Sequence, residues 1–311
     1  MNGASDAREV AVIRIICGPT AAGKSGLAMR LAEQLGLTIV CADSRQIYRH
    51  FDIGTAKPTA DERARVAHRC VDVADPTERW SAWRWANDAA AVIDELGHDR
   101  VLVVGGTGLY QEALVHPMAE QPPLDPVGRN RIGAEIGAWP IEKLRAWTGA
   151  LDPARAHLGR TQLLRAIETV LLTGRRLSEM IASLHLKVPE RPARWLVVDP
   201  GESLQEQISA RLDAMLAAGW IDEAAALDKQ YPEDAPAWKA CGYRVVRAVV
   251  RGEQTLAEAR ATILVHTRQY AKRQRTWFRN QLAAADVTRL DPRDPRADEI
   301  VRSWWDLEDS A

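Results

Sequence analysis

The sequence predicts an α/β fold, a P-loop NTPase-like parallel sheet flanked by helices and interrupted by a helical insertion. Three observations carry that prediction. Short β-branched runs alternate with helical patterns. A complete GxxxxGK[ST] motif stands between the first run and the first helix. A long stretch without strand signal is bounded by prolines at both ends.

Composition agrees with a globular chain. The 311 residues suit one large α/β domain or two modest ones. With 46% hydrophobic and 27% charged residues, collagen-like, disordered and disulfide-scaffold classes are excluded. The longest apolar runs, residues 10–17 (broken by Arg14) and 101–104, are far shorter than the roughly 20 residues of a membrane span. Residues 1–9 lack the pattern of a secretory signal, so a cytoplasmic protein without membrane contact is expected. Cys17, Cys41, Cys70 and Cys241 show no CxxC spacing and read as reduced core residues. The net charge of −1 excludes nothing, because it is the distribution of charge that marks a polyanion partner.

In chain order, residues 10–17 form the first strand, followed by a helix to about Gln34. Residues 38–41 form the second strand, followed by another helical start, in which Asp43 and Gln46 match an N-cap with glutamine three residues on. Residues 101–104 form the third strand and 195–198 a later one. Between them, residues 121–191 are rich in Arg, Ala, Leu and Glu at helical spacing. They open with Gln121-Pro122-Pro123-Leu124-Asp125-Pro126 and close with Pro189-Glu190-Arg191-Pro192, which central strands and helix interiors do not tolerate. A core of residues 1–121 and 192–311 with a helical insertion at 122–191 is expected; ordinary crossover helices of one domain are the alternative.

Gly18, Pro19, Thr20, Ala21, Ala22, Gly23, Lys24 and Ser25 fill the phosphate-loop motif in the strand–loop–helix context it requires. Loop amides and the positive end of the following helix can wrap a diphosphate, Lys24 can neutralise it, and the Ser25 hydroxyl can hold Mg²⁺. The motif does not say what the phosphates are attached to; nucleotide binding, ATP above all, is the commonest case. Asp43 stands at the carboxyl end of the second strand, beside the loop if the two strands are neighbours, on the edge where ligands bind. Gly105-Gly106-Thr107-Gly108 ends the third strand with small residues and a hydroxyl on the same edge. The strand at 195–199 ends in Asp before Pro200, which reads as a strand-end turn.

Residues 261–285 contain no acidic residue, while Arg268, Lys272, Arg273, Arg275 and Arg279 accompany Tyr270 and Trp277. Positions 268, 272, 275 and 279 share one helical face. Such a stripe can track a phosphate backbone, and a solvated basic face is the bland alternative.

These residues together resemble the tRNA dimethylallyltransferases (tRNA isopentenyltransferases), which place a dimethylallyl group on N6 of adenosine 37 beside the anticodon. The resemblance spans nearly the whole chain. It rests on the phosphate loop, Asp43-Ser44-Arg45-Gln46-Ile47-Tyr48, Asp52-Ile53-Gly54-Thr55-Ala56-Lys57-Pro58, residues 105–110, and the run Thr267-Arg268-Gln269-Tyr270-Ala271-Lys272-Arg273-Gln274 with Thr276-Trp277. It implies dimethylallyl diphosphate in the loop, Mg²⁺ at Ser25, Asp43 as general base, Thr107 near the target adenosine and Arg211 directed at the diphosphate. It further implies contacts to a tRNA anticodon stem-loop, clasped by core and insertion, from Asp43, Ser44, Arg45, Gln46, Thr107, Arg129, Gln162, Arg165, Cys241, Gly242, Tyr243, Lys272, Arg273, Arg275, Trp277 and Arg279. A monomer is expected. One stretch departs from the family pattern: at residues 157–168 the chain is one residue shorter, and Gln162 stands where the family has its first arginine.

Three other readings remain open. A small-molecule or nucleoside kinase would consume ATP on the same loop. A prenyltransferase acting on a free adenine nucleotide would leave the insertion and the basic helix without a duty. A non-catalytic RNA-binding protein would not need Asp43.

Overall fold

The computed structural model describes residues 12–118, 124–183, 190–282 and 287–307. Six parallel strands, β1 (Ile13–Cys17), β2 (Thr38–Cys41), β3 (His68–Arg69), β4 (Val101–Gly105), β5 (Ala193–Val198) and β6 (Val287–Leu290), form one sheet in the order β3-β2-β4-β1-β5-β6. The central strands are apolar except at Arg14 because helices cover both faces: Ile15, Ile16, Leu102 and Val103 are fully buried. Around the sheet lie α1 (Lys24–Leu35), α2 (Ala60–Arg65), α3 (Ala82–Leu96) and α4 (Gly108–Val115). They are joined, after β5, by α9 (Leu204–Ala217), α10 (Trp220–Gln230), α11 (Tyr243–Val250), α12 (Leu256–Gln281) and α13 (Ala297–Asp306).

The topology creates the crevice. From β1 the chain crosses to β2, whereas from β4 it returns to β5 on the other side of β1. Adjacent strand ends whose connections diverge leave an opening at the carboxyl edge, the usual ligand position in open α/β sheets.

The chain divides into two compact units, one within Met1–His116 and Glu190–Ala311, the other within Pro117–Pro189. The second contains α5 (Pro126–Ile136), α6 (Ile141–Leu151), α7 (Arg160–Thr173) and α8 (Leu177–Ser183). Its own small core is Ile132, Ile136, Leu144, Leu163 and Ile167. Of the proline-rich punctuation expected at its ends, Gln121, Pro122, Pro123 and Pro189 lie outside the described residues, as do residues 10–11 of the expected first strand and 283–285 of the basic run.

One expectation is corrected, and the condition attached to another is not met. No helix starts at Asp43: residues 44–47 form a turn, in which Asp43 Oδ1 accepts the Arg45 amide at 2.8 Å. The next helix is α2, and Thr59 and Glu62 form its capping box. Nor are β1 and β2 neighbours, since β4 lies between them, so Asp43 stands one strand away from the phosphate loop.

Candidate active site

The turn from β1 into α1 builds the loop. Gly18 has φ 140°, and a Cβ there would overlap the Val198 carbonyl of β5; Gly23, at φ 85°, caps α1. Only glycine fits that exit from the strand. The first turn of α1 carries Lys24 and Ser25, so unpaired amides, the positive helix end, an ammonium and a hydroxyl converge. Lys24 Nζ donates to the Pro19 carbonyl at 2.7 Å. Burial and then the nearby Arg211 guanidinium push the Lys24 pKa from 10.5 down to about 8, with Asp43 pulling the other way. A bound polyanion would push that pKa back up.

Asp43 reaches this region although β4 intervenes, because Thr107 closes the gap. The Ser44 amide donates to Thr107 Oγ1 at 3.0 Å and the Thr107 amide to the Ala42 carbonyl at 3.1 Å. The two glycines before Thr107 serve the protein itself. A Cβ on Gly105 would overlap the Ala42 carbonyl, and one on Gly106 the Gln274 side-chain amide. From α9, Arg211 enters the site; burial lowers its pKa while Asp43 opposes the shift.

Two chambers meet here. One, on the phosphate side, is lined by Lys24, Ser25, Gln46, Lys57, Gly105 and Gly106 among others. The other is mainly apolar, with Ile208, Leu212, Met215, Trp220, Ala240 and Ile263 on its walls. Thr20, Asp43, Arg211 and Tyr270 line both. Reactants carried in the two chambers can therefore meet beside one carboxylate.

The stretch at residues 52–58 forms a shared wall. Glu223 Oε2 accepts the amides of Asp52 (3.1 Å) and Ile53 (2.8 Å), and the Tyr243 hydroxyl accepts the Gly54 amide (3.1 Å) while donating to Glu223 Oε1 (2.6 Å). Lys57, buried, donates to the Tyr48 carbonyl, Asp52 Oδ1 (2.6 Å) and Asp72 Oδ1 (2.5 Å). Gln46 Nε2 donates to the carbonyls of Thr55 (3.1 Å) and Ala56 (2.9 Å). Glu223 and Trp220 were not singled out from sequence, and Lys57 and Gln274 entered only within the runs that carry the resemblance, without a role. A polar side chain that will be buried by partners far along the chain looks like a surface residue until those partners are known.

The residues expected to touch RNA separate into groups. Lys272, Arg273 and Arg279 are exposed on α12, while Ala271, Gln274 and Phe278 face the core. Arg275 interrupts the stripe: it donates to both Asp199 oxygens (2.8 and 2.5 Å) and to the Gly201 carbonyl (2.6 Å). That pairing satisfies its charge and fixes the turn after β5, so Arg275 is not a free cation of the stripe. Tyr243 is fully buried against Glu223, so its expected RNA contact is corrected to a core role. Gly242, at φ 89°, caps α11 and packs on Trp220; Cys241 Sγ lies 3.5 Å from Thr267 Oγ1 on the apolar chamber, which Arg45 also lines. Trp277 is half-buried over Gly108 and meets Phe278 edge-on at 5.1 Å.

Three expected contacts belong to the helical unit. Arg129 Nε donates to buried Glu168 at 2.7 Å, Gln162 accepts the Gly159 amide at 3.2 Å, and Arg165 is half-buried, its pKa lowered by burial and by Arg129.

Among the described residues no three His, Cys, Asp or Glu side chains gather into a metal-binding group. The chamber beside the loop is lined by oxygen donors that include the Ser25 and Thr20 hydroxyls and the Asp43 and Glu62 carboxylates. Hard oxygen donors of this kind fit Mg²⁺ when phosphate oxygens complete the shell.

Fold and site together define a phosphate-loop α/β protein whose loop faces a carboxylate and an apolar chamber. A family profile described as IPP transferase matches residues 46–281, and one described as isopentenyl transferase matches 11–70. The chain is 42% identical over 289 residues to the tRNA dimethylallyltransferase of Gloeobacter violaceus, covering 90% of this chain and 92% of that one. It is 42% identical over 291 residues to that of Halorhodospira halophila, covering 90% and 94%. Among solved structures, the tRNA isopentenylpyrophosphate transferase of Bacillus halodurans superimposes with TM-score 0.65 at 30% identity, covering 95% of this chain and 97% of that one. A eukaryotic dimethylallyltransferase acting on tRNA, at 23% identity and TM-score 0.73, covering 96% and 76%, shares the fold. The chain belongs to the IPP transferase family and is a transferase.

Proposed function

We propose that the protein transfers a dimethylallyl group from dimethylallyl diphosphate to N6 of adenosine 37 in tRNA and releases diphosphate. The observation that carries this reading is the position of Asp43 on the lining of both chambers, beside Thr20 and Arg211. The adenine N6 attacks C1 of the allylic donor as the C1–O bond breaks. The electron pair leaves with diphosphate, and the N6 proton passes to Asp43. Because the N6 lone pair is delocalised into the ring, removing that proton as the bond forms makes a poor nucleophile adequate. Loop amides, Lys24 and Arg211 stabilise the charge that develops on the leaving group. Ser25 would hold Mg²⁺, which would supply further charge neutralisation on the diphosphate.

The adenine must leave the anticodon stack to reach Asp43. Ser44, Arg45, Gln46 and Thr107 surround that carboxylate, and Lys272, Arg273 and Arg279 offer exposed cations for the RNA backbone. Arg129, Gln162 and Arg165 remain proposed contacts of the helical unit. Among the described residues no helix is long and apolar enough to cross a membrane. We place the reaction in the cytoplasm and take the protein to act as a single chain.

The test is incubation of the protein and Mg²⁺ with unmodified tRNA and either dimethylallyl diphosphate or ATP. A dimethylallyl mass gain on adenosine with the first donor alone supports the reading. Phosphate transfer from ATP with unchanged tRNA would replace it by a kinase.

A further inference from the structure

We infer that Gln274 is a positioning residue that sets the phosphate loop against the Asp43 turn; this rests on the reading of the loop as a diphosphate site. Gln274 projects from α12 with its side chain buried, and both ends of its amide are used. Oε1 accepts the Thr20 amide of the phosphate loop at 2.8 Å. Nε2 donates to the Gly106 carbonyl at 2.8 Å. Gly106 precedes Thr107, whose hydroxyl accepts the amide of Ser44, the neighbour of Asp43. One side chain thus links the loop after β1, the turn after β4 and, through Thr107, the turn after β2.

A second observation bears on the same contact from the side of Gly106. Gly106 lacks a positive φ, so its backbone does not demand glycine, yet a Cβ there would overlap Gln274 Nε2. Glycine at 106 is what admits the amide. The chemistry also requires this amide in particular: one end must accept from an N–H and the other donate to a carbonyl, which neither glutamate as a carboxylate nor methionine can do together. An unpaired Thr20 amide or Gly106 carbonyl in a partly buried crevice would find other partners by moving the loop. Such movement changes how the remaining loop amides and Lys24 meet a diphosphate, and how far that diphosphate lies from Asp43.

The experiment compares wild type, Gln274→Met, Gly106→Ala and the double variant. Inorganic diphosphate with Mg²⁺ probes the loop by calorimetry; dimethylallyl diphosphate with an anticodon stem-loop RNA gives kcat and KM. In each single variant we expect the diphosphate Kd and donor KM to rise about tenfold, the size of effect that one hydrogen bond to a charged group typically has. kcat should fall as well, while RNA affinity stays within about twofold. Because both substitutions displace the same amide, the double variant should be no worse than the worse single one, a departure from additivity. Melting temperature is recorded throughout. A Gln274→Met protein that melts lower but keeps wild-type Kd, KM and kcat would make Gln274 merely structural, and additive losses would separate it from Gly106. If Gln274→Met does not fold, Gly106→Ala alone decides by the same readouts. Absence of diphosphate binding by wild type would overturn the loop reading itself, whatever the variants do.

Discussion

At the residue scale, Asp43 and Lys24 have separate duties, one as base and one as the ammonium that meets the diphosphate. Asp43 has one oxygen engaged by the Arg45 amide, which leaves the other for a substrate proton. Asp43→Asn keeps that acceptor and loses the base, so kcat should fall by about 10²–10⁴ with donor Kd little changed, as single-turnover kinetics and calorimetry would show. Lys24 releases its proton near pH 8 in the folded chain, against 10.5 ordinarily. Between those values the unfolded chain binds more protons, so this group's contribution to stability rises with pH across the window. Diphosphate needs the ammonium, so its affinity should fall as pH rises above about 8. Lys24→Ala should bind weakly and lack that limb. Tyr243→Phe removes the hydroxyl shared by Glu223 and Gly54; it should cost about 1–3 kcal/mol in denaturant unfolding and leave the salt dependence of RNA binding unchanged.

At the element scale, α12 serves two environments in one helix. Its inward residues pack on the sheet and hold the phosphate loop, and its outward Lys272, Arg273 and Arg279 face solvent. Reversing charge at Lys272 and Arg279 should weaken stem-loop binding and lower the slope of log K against log salt by roughly one for each phosphate no longer engaged. Diphosphate affinity should hold. Arg275→Glu should instead lower the melting temperature, because it sets two carboxylates against each other at Asp199. The face of a helix is legible in a sequence; whether a particular arginine on it is spent on a carboxylate 76 residues away is not.

At the scale of the whole molecule, the crevice exists because connections diverge between β1 and β4. The phosphate loop, the Asp43 turn and the Thr107 turn come from strand ends that are distant in sequence, so a ligand bridging them should stabilise the whole first unit. Diphosphate with Mg²⁺ at 100 times its Kd should add about 2.7 kcal/mol to unfolding free energy, measured by thermal or denaturant melts. The Cys17 and Cys41 thiols, whose pKa burial pushes up, should resist alkylation until that unit opens.

The sequence by itself determined the strand–loop–helix of the phosphate site, the apolar central strands, the helical stretch before β5 and the family. These signals are local: a fixed spacing of glycines, a run of β-branched residues, a helical period. It also picked out Asp43, but it gave that residue a helix start and left open whether its strand adjoins β1. Tertiary structure alone inserted β4 between them, turned Tyr243 inward, engaged Arg275 with Asp199, and placed Gln274 across the strand ends. Each depends on which distant partner fills a buried hydrogen bond or covers a ring, and that is decided by packing of the whole sheet, which no local pattern encodes.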